Sequence, residues 1–304
     1  MGPRHAVACT TEAAELGESA RWDSRRSELL WVDILRGRVV RSTVNDDGSL
    51  AIVRTYELPM SVGAIAPIVG DDGWLLAAGT GFVHLSPDGT FRVLSAAAPT
   101  GSRMNDAACD SLGRCWAGSL ADDHRDGGGA LFRLDQRGHV EQMLDGLTIP
   151  NGIGWSLDGR TMYLVDSAPR SVHAFDFDGE HGTISGQRVL ITFPEEVGSP
   201  DGLTVDANGN LWVAIHGGGQ VRRHAPDGAL LEVHRVPATQ STCAAFGGAG
   251  LHRLYVTTAT EFWTDEQREA DPSAGLVYRI ETDAIGLPAA PFIPDPHWWH
   301  SLGY

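Results

Sequence analysis

Short apolar segments that each contain an aromatic residue recur along the chain at a nearly constant interval. The aromatic residues are 43, 42, 47, 49 and 43 positions apart, and they are Trp31, Trp74, Trp116, Tyr163, Trp212 and Tyr255. A period of roughly 40–50 residues is typical of propeller blades. The pattern therefore predicts six copies of one structural unit.

Each unit alternates short apolar runs with polar turns, and the segment 201–235 shows this most clearly. An apolar run at 202–205 is followed by a polar turn, the aromatic strand at 211–213 and two further runs, with Asp227-Gly228 between the last two. Asp-Gly steps between apolar runs are strong hairpin signals. Long amphipathic helices are missing from the pattern. We therefore predict an all-β fold, a six-bladed β-propeller with four-stranded blades around a central channel.

The six units fill nearly the whole chain. We predict a single domain over residues 1–304, with residues 6–10 supplying the outer strand of the last blade. A C-terminal extension at about 287–304 is left over and is a candidate cap for one face. The N-terminus has no basic segment followed by a long apolar run, so we expect no signal peptide. No stretch approaches the roughly 18 apolar residues of a membrane helix.

The composition narrows the classes of partner. The net charge of −16 argues against nucleic-acid binding, which needs clustered Lys and Arg. The negative charge is consistent either with simple solubility or with attraction of cations. None of the four cysteines belongs to a C-x-x-C pair, so reduced thiols in a cytoplasmic protein are the simplest interpretation. We expect a monomer, because a closed propeller has only short, protected edges.

Chemistry in a propeller is expected where the inner strands meet at the mouth of the channel. Counting back 11 to 13 positions from each aromatic gives the predicted start of each inner strand, namely Glu18, Gly63, Asn105, Asn151, Asp201 and Cys243. Four of these carry a side-chain oxygen, and converging oxygens suit Ca²⁺, Mg²⁺ or Mn²⁺, with Zn²⁺ not excluded. The competing interpretation is that Asn151-Gly152 and Asp201-Gly202 are ordinary turns.

An ordered set of motifs runs from about residue 15 to about residue 281. It comprises the segments LGESARW at 16–22, RMND at 103–106, GRCWAG at 113–118, NGIGWS at 151–156, PDGLTVD at 200–206 and STCAAFGG at 241–248. With these segments the chain resembles the SMP-30/gluconolactonase/regucalcin family of six-bladed propellers, which includes proteins like the luciferin-regenerating enzyme.

The resemblance implies a metal site and a substrate site. It implies that Glu18, Asn151 and Asp201 bind one divalent ion, which could be Ca²⁺, Zn²⁺, Mg²⁺ or Mn²⁺. It also implies that Arg103 and Asn105 reach the substrate. By spacing, Asp123 takes the position of a family acid that contacts sugar hydroxyls, where family members often have Glu. The neighbouring Asp122 is the alternative for that contact.

The function that follows is divalent-metal-dependent hydrolysis of a small sugar lactone to the aldonic acid. We expect Asp201 to act as general base on a water molecule, with a metal-activated hydroxide as the alternative. Two other classes remain open: a calcium- or ligand-binding propeller without turnover, and a paraoxonase-like esterase acting on a larger substrate.

Three further sequence features have both a structural and a functional interpretation. His216 is expected to be a histidine at the channel rim or on the surface, with a hydrogen bond to substrate as the functional alternative. Cys243 has no visible activating neighbour, so packing is favoured over nucleophilic chemistry. For His297 and His300 in the tail, packing or disorder is favoured over metal binding.

Overall fold

The computed structural model describes residues 5–304, which form 24 strands, two short 3₁₀ helices and two short α-helices. The first thirteen strands are β1 (Val7–Ala8), β2 (Gly17–Asp23), β3 (Glu28–Asp33), β4 (Arg38–Val44), β5 (Leu50–Glu57), β6 (Val62–Pro67), β7 (Trp74–Ala78), β8 (Gly81–Leu85), β9 (Phe91–Ala96), β10 (Ser102–Cys109), β11 (Cys115–Ala121), β12 (Gly129–Leu134) and β13 (Val140–Leu147).

The remaining strands are β14 (Pro150–Trp155), β15 (Thr161–Asp166), β16 (Ser171–Asp178), β17 (Thr183–Thr192), β18 (Ser199–Val205), β19 (Leu211–His216), β20 (Gln220–His224), β21 (Leu230–Arg235), β22 (Ser241–Gly247), β23 (Arg253–Thr258) and β24 (Tyr278–Glu281). The 3₁₀ helices are Glu195–Val197 and Ala249–Leu251, and the α-helices are α1 (Asp265–Ala270) and α2 (Pro296–Ser301).

The strands form six four-stranded antiparallel sheets, which are the blades of a propeller. Five blades are consecutive meanders, beginning at β2, β6, β10, β14 and β18, and the sixth has the order β22-β23-β24-β1. The inner strands pack against one another around the ring in the order in which they occur along the chain, and β22 packs against β2 to close the ring. The predicted six-bladed β-propeller with a central channel is confirmed.

The ring is closed by pairing the start of the chain with its last blade. Strand β1 pairs antiparallel with β24, with Val7 opposite Arg279 and Ala8 opposite Tyr278. The expected contribution of residues 6–10 to the outer edge of the sixth blade is therefore confirmed. The predicted domain began at residue 1, and residues 1–4 lie outside the described part of the chain.

The aromatic residue of each repeat is buried between blades. All six lie on the second strand of their blade and are at most 5% exposed. In the third and fifth blades the indole N–H of the tryptophan donates to a buried aspartate in the preceding turn: Trp116 Nε1 lies 3.0 Å from Asp110 Oδ2, and Trp212 Nε1 lies 3.0 Å from Asp206 Oδ2. The repeat therefore combines apolar burial with a satisfied indole N–H.

The C-terminal segment packs against the second and third blades at the end of the channel away from the candidate site. Phe292 is fully buried and forms a bridge with Ile68, and the indole N–H of Trp299 donates to Asp71 Oδ2 at 3.2 Å. Residues 287–290 line a cavity together with the ends of the inner strands. The tail therefore packs against the propeller, which is one of the two outcomes, packing or disorder, expected in place of metal binding.

The state of the cysteines and the length of the helices are also defined by the structure. Cys9, Cys109, Cys115 and Cys243 are all free thiols. Within residues 5–304 the helices are too short and too polar to cross a membrane.

The Asp206 contacts make a prediction about stability. Asp206 Oδ2 accepts a hydrogen bond from Trp212 Nε1 and forms a salt bridge with Arg223 Nη2, and Asp206 is completely buried. Asp206→Ala should lower the free energy of unfolding by about 3 kcal/mol, because it leaves a buried indole N–H and a guanidinium without their acceptor. Denaturant titration measures this change.

The matched control is Asp227→Ala, which removes an exposed turn aspartate of the same blade. Among residues 5–304, its carboxylate accepts a hydrogen bond only from the Ala229 N–H. It should cost less than about 1 kcal/mol. Equal losses in the two variants would contradict the importance assigned to the buried contact.

Candidate active site

Irregularities in the inner strands place the polar side chains at the channel mouth. In β10, β14 and β18 two residues oppose one residue of the neighbouring strand, and in each case the first residue of the pair is a predicted site residue: Asn105, Asn151 or Asp201. A bulge of this kind bends the strand and changes the direction of the side chain. Glu18 lies immediately before the equivalent irregularity in β2.

The glycines that follow two of these residues are explained by close packing of neighbouring inner strands. A Cβ atom on Gly152 would lie 2.3 Å from the backbone nitrogen of Leu203, and one on Gly202 would lie 2.7 Å from the Cα of Cys243. Asn151-Gly152 and Asp201-Gly202 therefore lie within strands of the ring, and the interpretation of these steps as ordinary turns is not supported.

Glu18 and Asp201 form a pair of buried carboxyl groups. They are 5% and 6% exposed, and the Ser19 N–H donates to Glu18 Oε2 at 2.9 Å. Burial raises the pKa of Glu18 to about 8, with the charge of Asp106 adding to the shift. Burial also raises the pKa of Asp201 well above its usual range, and the charge of Glu18 contributes next. Full ionisation of the pair is therefore disfavoured, and a bound positive charge would favour it.

Amide and hydroxyl groups connect the third, fourth and fifth blades beside this pair. Asn105 Nδ2 donates to Asn151 Oδ1 at 2.6 Å, and Asn151 Nδ2 donates to Ser167 Oγ at 2.8 Å. Ser167 Oγ donates in turn to the Pro200 carbonyl at 2.6 Å, next to Asp201. Arg103 Nη1 donates to Asn105 Oδ1 at 2.6 Å. The network holds these four side chains in place through contacts within the protein.

These groups line one cavity of about 180 Å³ at the mouth of the channel. Its wall combines polar and apolar side chains, and the lining residues are Leu16, Glu18, Arg103, Asn105, Leu120, His124, Ile149, Asn151, Ser167, Ala168, Ser199, Asp201, His216, Glu261 and Phe262. A concave site with a few converging polar groups and shifted pKa values is the expected form of a small-molecule site.

The structure brings five of the six predicted site residues together. Glu18, Arg103, Asn105, Asn151 and Asp201 all line the cavity.

Asp123 lies apart from them. Its carboxylate is exposed and pairs with Arg125 at 2.9 Å, and neither Asp123 nor Asp122 is among the lining residues. The contact between Asp123 and the substrate stays a prediction.

Gly63 and Cys243, the other two inner-strand positions, have packing roles, and His216 contributes to the cavity wall. A Cβ on Gly63 would lie 2.3 Å from the Asn105 carbonyl oxygen, so close packing requires glycine there. Burial raises the pKa of the Cys243 thiol well above its usual range, which fits a packing role. His216 lines the cavity, and burial lowers its pKa, which favours the uncharged imidazole.

Ser167, Glu261, Phe262 and His124 also line the cavity, and the sequence pattern did not identify them. Ser167 follows β15, Glu261 and Phe262 lie in the loop after β23, and His124 lies in the loop after β11. These loops have no fixed spacing from the repeat aromatics, so counting along the repeat cannot find their residues.

The donor set fits a hard divalent cation. Asp201 Oδ1 is buried and has no hydrogen-bond partner in the described chain, which is the state expected of an oxygen reserved for a ligand. Among residues 5–304 there is no group of three or more His, Cys, Asp and Glu side chains suited to a metal. The candidate set instead consists of two carboxylates and the Asn151 amide, and oxygen donors of this kind suit Ca²⁺, Mg²⁺ or Mn²⁺.

Comparison with known proteins identifies the family. The family model described as SMP-30/Gluconolactonase/LRE-like region matches residues 16–260. The chain belongs to this family, which confirms the resemblance drawn from the motifs.

Individual relatives cover almost the full length of the chain. The chain is 34% identical over 282 residues to pentonolactonase XacC of Haloferax volcanii, covering 91% of this chain and 94% of that protein. It is 33% identical over 282 residues to regucalcin of Homo sapiens, covering 88% and 91% of the two chains. The structure of regucalcin from Agrobacterium tumefaciens, described as a calcium-binding protein, has a TM-score of 0.88 at 27% identity, covering 95% and 98%. Relatives with lactonase names support a lactonase-type function at the level of the family.

The buried carboxylate pair predicts stabilisation by a divalent ion. Adding Ca²⁺, Mg²⁺, Mn²⁺ or Zn²⁺ to chelator-treated protein should raise the midpoint of thermal unfolding in a concentration-dependent way for the ions that bind, because binding to the folded state alone adds to stability. Glu18→Gln and Asp201→Asn should each lose this rise. Differential scanning fluorimetry measures it.

Asp126→Asn is the control, because Asp126 is an exposed carboxylate in the loop after β11 and does not line the cavity. This variant should respond to the ions as the unaltered protein does. A full response in both Glu18→Gln and Asp201→Asn would contradict the assignment of these side chains as ligands.

Proposed function

We propose that the protein hydrolyses a small sugar lactone to the corresponding aldonic acid and that the reaction requires one divalent metal ion. The observation that carries the proposal is the convergence of Glu18, Asn151 and Asp201 with Arg103 and Asn105 on one cavity. Family membership and the lactonase names of relatives such as pentonolactonase XacC support the same reaction class.

Glu18, Asn151 and Asp201 are the residues that would hold the ion. An ion bound there would supply Lewis acidity, which polarises a carbonyl group and makes water a stronger acid. Its positive charge would also offset the burial of the two carboxylates and the repulsion between them, which together raise the pKa of Asp201.

Asp201 is proposed as the general base. Asp201 would hold the ion through one carboxylate oxygen and, through the other, accept a proton from the water molecule that attacks the lactone carbonyl carbon. As the ring C–O bond breaks, the proton passes to the departing alcohol oxygen, so one water is added and a hydroxy acid is formed.

Arg103 and Asn105 are proposed to orient the substrate. Arg103 Nη1 donates to Asn105 Oδ1, and the other N–H groups of the guanidinium can donate to a ligand. Asn105 in turn donates to Asn151. A guanidinium fixed in this way reduces the entropy cost of placing the lactone over the reacting groups.

A calcium- or ligand-binding function without turnover is the second candidate. It is favoured by the likeness to the Agrobacterium tumefaciens regucalcin that is described as a calcium-binding protein. In both candidate functions Glu18 and Asp201 bind the ion. The two functions differ only in whether a lactone is hydrolysed. A cytoplasmic, monomeric protein stays part of the proposal, supported by the free cysteines and the closed ring.

The proposal predicts metal-dependent release of acid from aldonolactones. Chelator-treated protein should be assayed with glucono-, galactono-, arabino- and xylonolactone after return of each ion, with the spontaneous rate subtracted. At least one lactone should be hydrolysed, and Asp201→Asn should lower kcat by at least about 100-fold, because general base catalysis contributes that much or more.

Two results would count against this account. Normal hydrolysis by Asp201→Asn with the ion still bound would remove Asp201 as the base. Tight ion binding with no hydrolysis of any lactone would favour the binding protein or an esterase with another substrate.

A further inference from the structure

A third acidic side chain faces the cavity from the sixth blade. Glu261 follows β23, is half-buried and lines the cavity with Arg103. Glu18 and Asp201 are buried, whereas Glu261 and Arg103 are both more exposed, which places them nearer the mouth. Glu261 therefore lines the same cavity as the candidate metal ligands but lies closer to its entrance.

The backbone around Glu261 is held on both sides. The Thr260 N–H donates to the Glu15 carbonyl at 2.9 Å, and Gln240 Nε2 donates to the Glu261 carbonyl at 3.0 Å. Arg268 Nη1 from α1 donates to Thr260 Oγ1 at 2.8 Å. These contacts anchor the loop to the first blade and to its own blade, so the Glu261 side chain is presented to the cavity from a fixed position.

Glu261 and Arg103 influence each other without forming a direct ion pair. Burial and then the charge of Arg103 are the main influences on the pKa of Glu261, and the net effect raises it. Burial lowers the pKa of Arg103, and Glu261 is the foremost charge opposing that shift. Within the described chain no ion pair or hydrogen bond engages the Glu261 carboxylate. A hydroxyl group, which both donates and accepts, could bridge the carboxylate and the guanidinium.

An aromatic residue beside Glu261 stands at the entrance of the cavity. Phe262 is 78% exposed, and its ring contacts that of His124 at 6.0 Å between centroids. Both residues have positive φ angles, +62° for Phe262 and +53° for His124, which residues other than glycine rarely adopt. Unfavourable backbone conformations of this kind cluster at ligand sites, and here two of them meet at the rim of the cavity.

The position of Asp123 contrasts with that of Glu261. The Asp123 carboxylate is 63% exposed and already paired with Arg125, and it does not line the cavity. Glu261 has an acceptor facing the cavity and no partner that competes for it among the described residues.

We propose that Glu261 is the residue that selects a polyhydroxylated lactone, by accepting a hydrogen bond from a substrate hydroxyl that Arg103 also contacts. This inference rests on the proposed lactonase function. A site built to hydrogen-bond a hydroxyl discriminates strongly against a substrate that lacks it, because the polar groups of the site are then left unpaired. Glu261 thus determines specificity, and the cleavage chemistry stays with Asp201.

The test compares two lactones of the same ring size, glucono-1,5-lactone and δ-valerolactone, which has no hydroxyl groups. Glu261→Gln should lower kcat/KM for gluconolactone about 10-fold, as expected for loss of a charge-assisted hydrogen bond. The value for δ-valerolactone should change less than about twofold, since that substrate has nothing to donate. The ratio of the two values is unaffected by any loss of folded protein.

Glu269→Gln is the matched control, because it makes the same change at an exposed position on α1, outside the cavity. It should leave the ratio unchanged. Equal effects of Glu261→Gln on both lactones, or a loss of discrimination in Asp123→Asn with Glu261→Gln unaffected, would overturn the proposal.

A binding measurement separates this inference from the proposed function. Calorimetry with the uncharged polyol sorbitol should show binding to the unaltered protein that is weakened about 10-fold in Glu261→Gln, the size of one charge-assisted hydrogen bond. If neither lactone is hydrolysed but this difference is found, the lactonase proposal fails and the role of Glu261 stands. Equal sorbitol affinity in the two proteins, or no binding to either, overturns the role of Glu261.

Discussion

The enforced proximity of two buried carboxyl groups is the constraint on which the candidate site depends. Glu18 and Asp201 come from the first and fifth blades, and burial disfavours the charge of both. Such a pair lowers the stability of the folded state unless protons or a cation compensate it. Closure of the ring, the bulges in the inner strands and the amide network hold the pair in place. Together they would support the divalent ion that we propose for this site.

The propeller suits this task because it separates stability from chemistry. The repeat aromatics on the second strands and the buried aspartates of the turns stabilise the contacts between blades. The mouth can then carry polar residues that would be costly in an ordinary core. The loops that rise above it, such as the one with Glu261 and Phe262, are not bound by the repeat and can determine which substrate enters.

Much of the architecture could be predicted from the sequence, because it follows from a regular period. The spacing of the aromatics from Trp31 to Tyr255 identifies the blades, and counting back from them finds the inner-strand positions of Glu18, Asn105, Asn151 and Asp201. The period carries no information on side-chain direction, which the bulges determine. It also cannot tell a turn glycine from one required by close packing, as Gly152 is against Leu203.

The positions that escaped prediction lie in loops or depend on long-range packing. Asp123 lies in a loop, where its carboxylate pairs with Arg125, and its contact with a substrate stays a prediction. Glu261 reaches the cavity only because contacts with Glu15 and Gln240, distant in sequence, fix its loop. No local pattern of residue types encodes such contacts.

The stoichiometry of activation tests the central claim most directly. Chelator-treated protein at a concentration well above the dissociation constant should be titrated with the ion that supports the fastest lactone hydrolysis, while acid release is followed. The account predicts that activity rises linearly and saturates at one ion per chain. Full activity before any ion is added, or saturation only at two or more ions per chain, would contradict a single catalytic ion held by Glu18, Asn151 and Asp201.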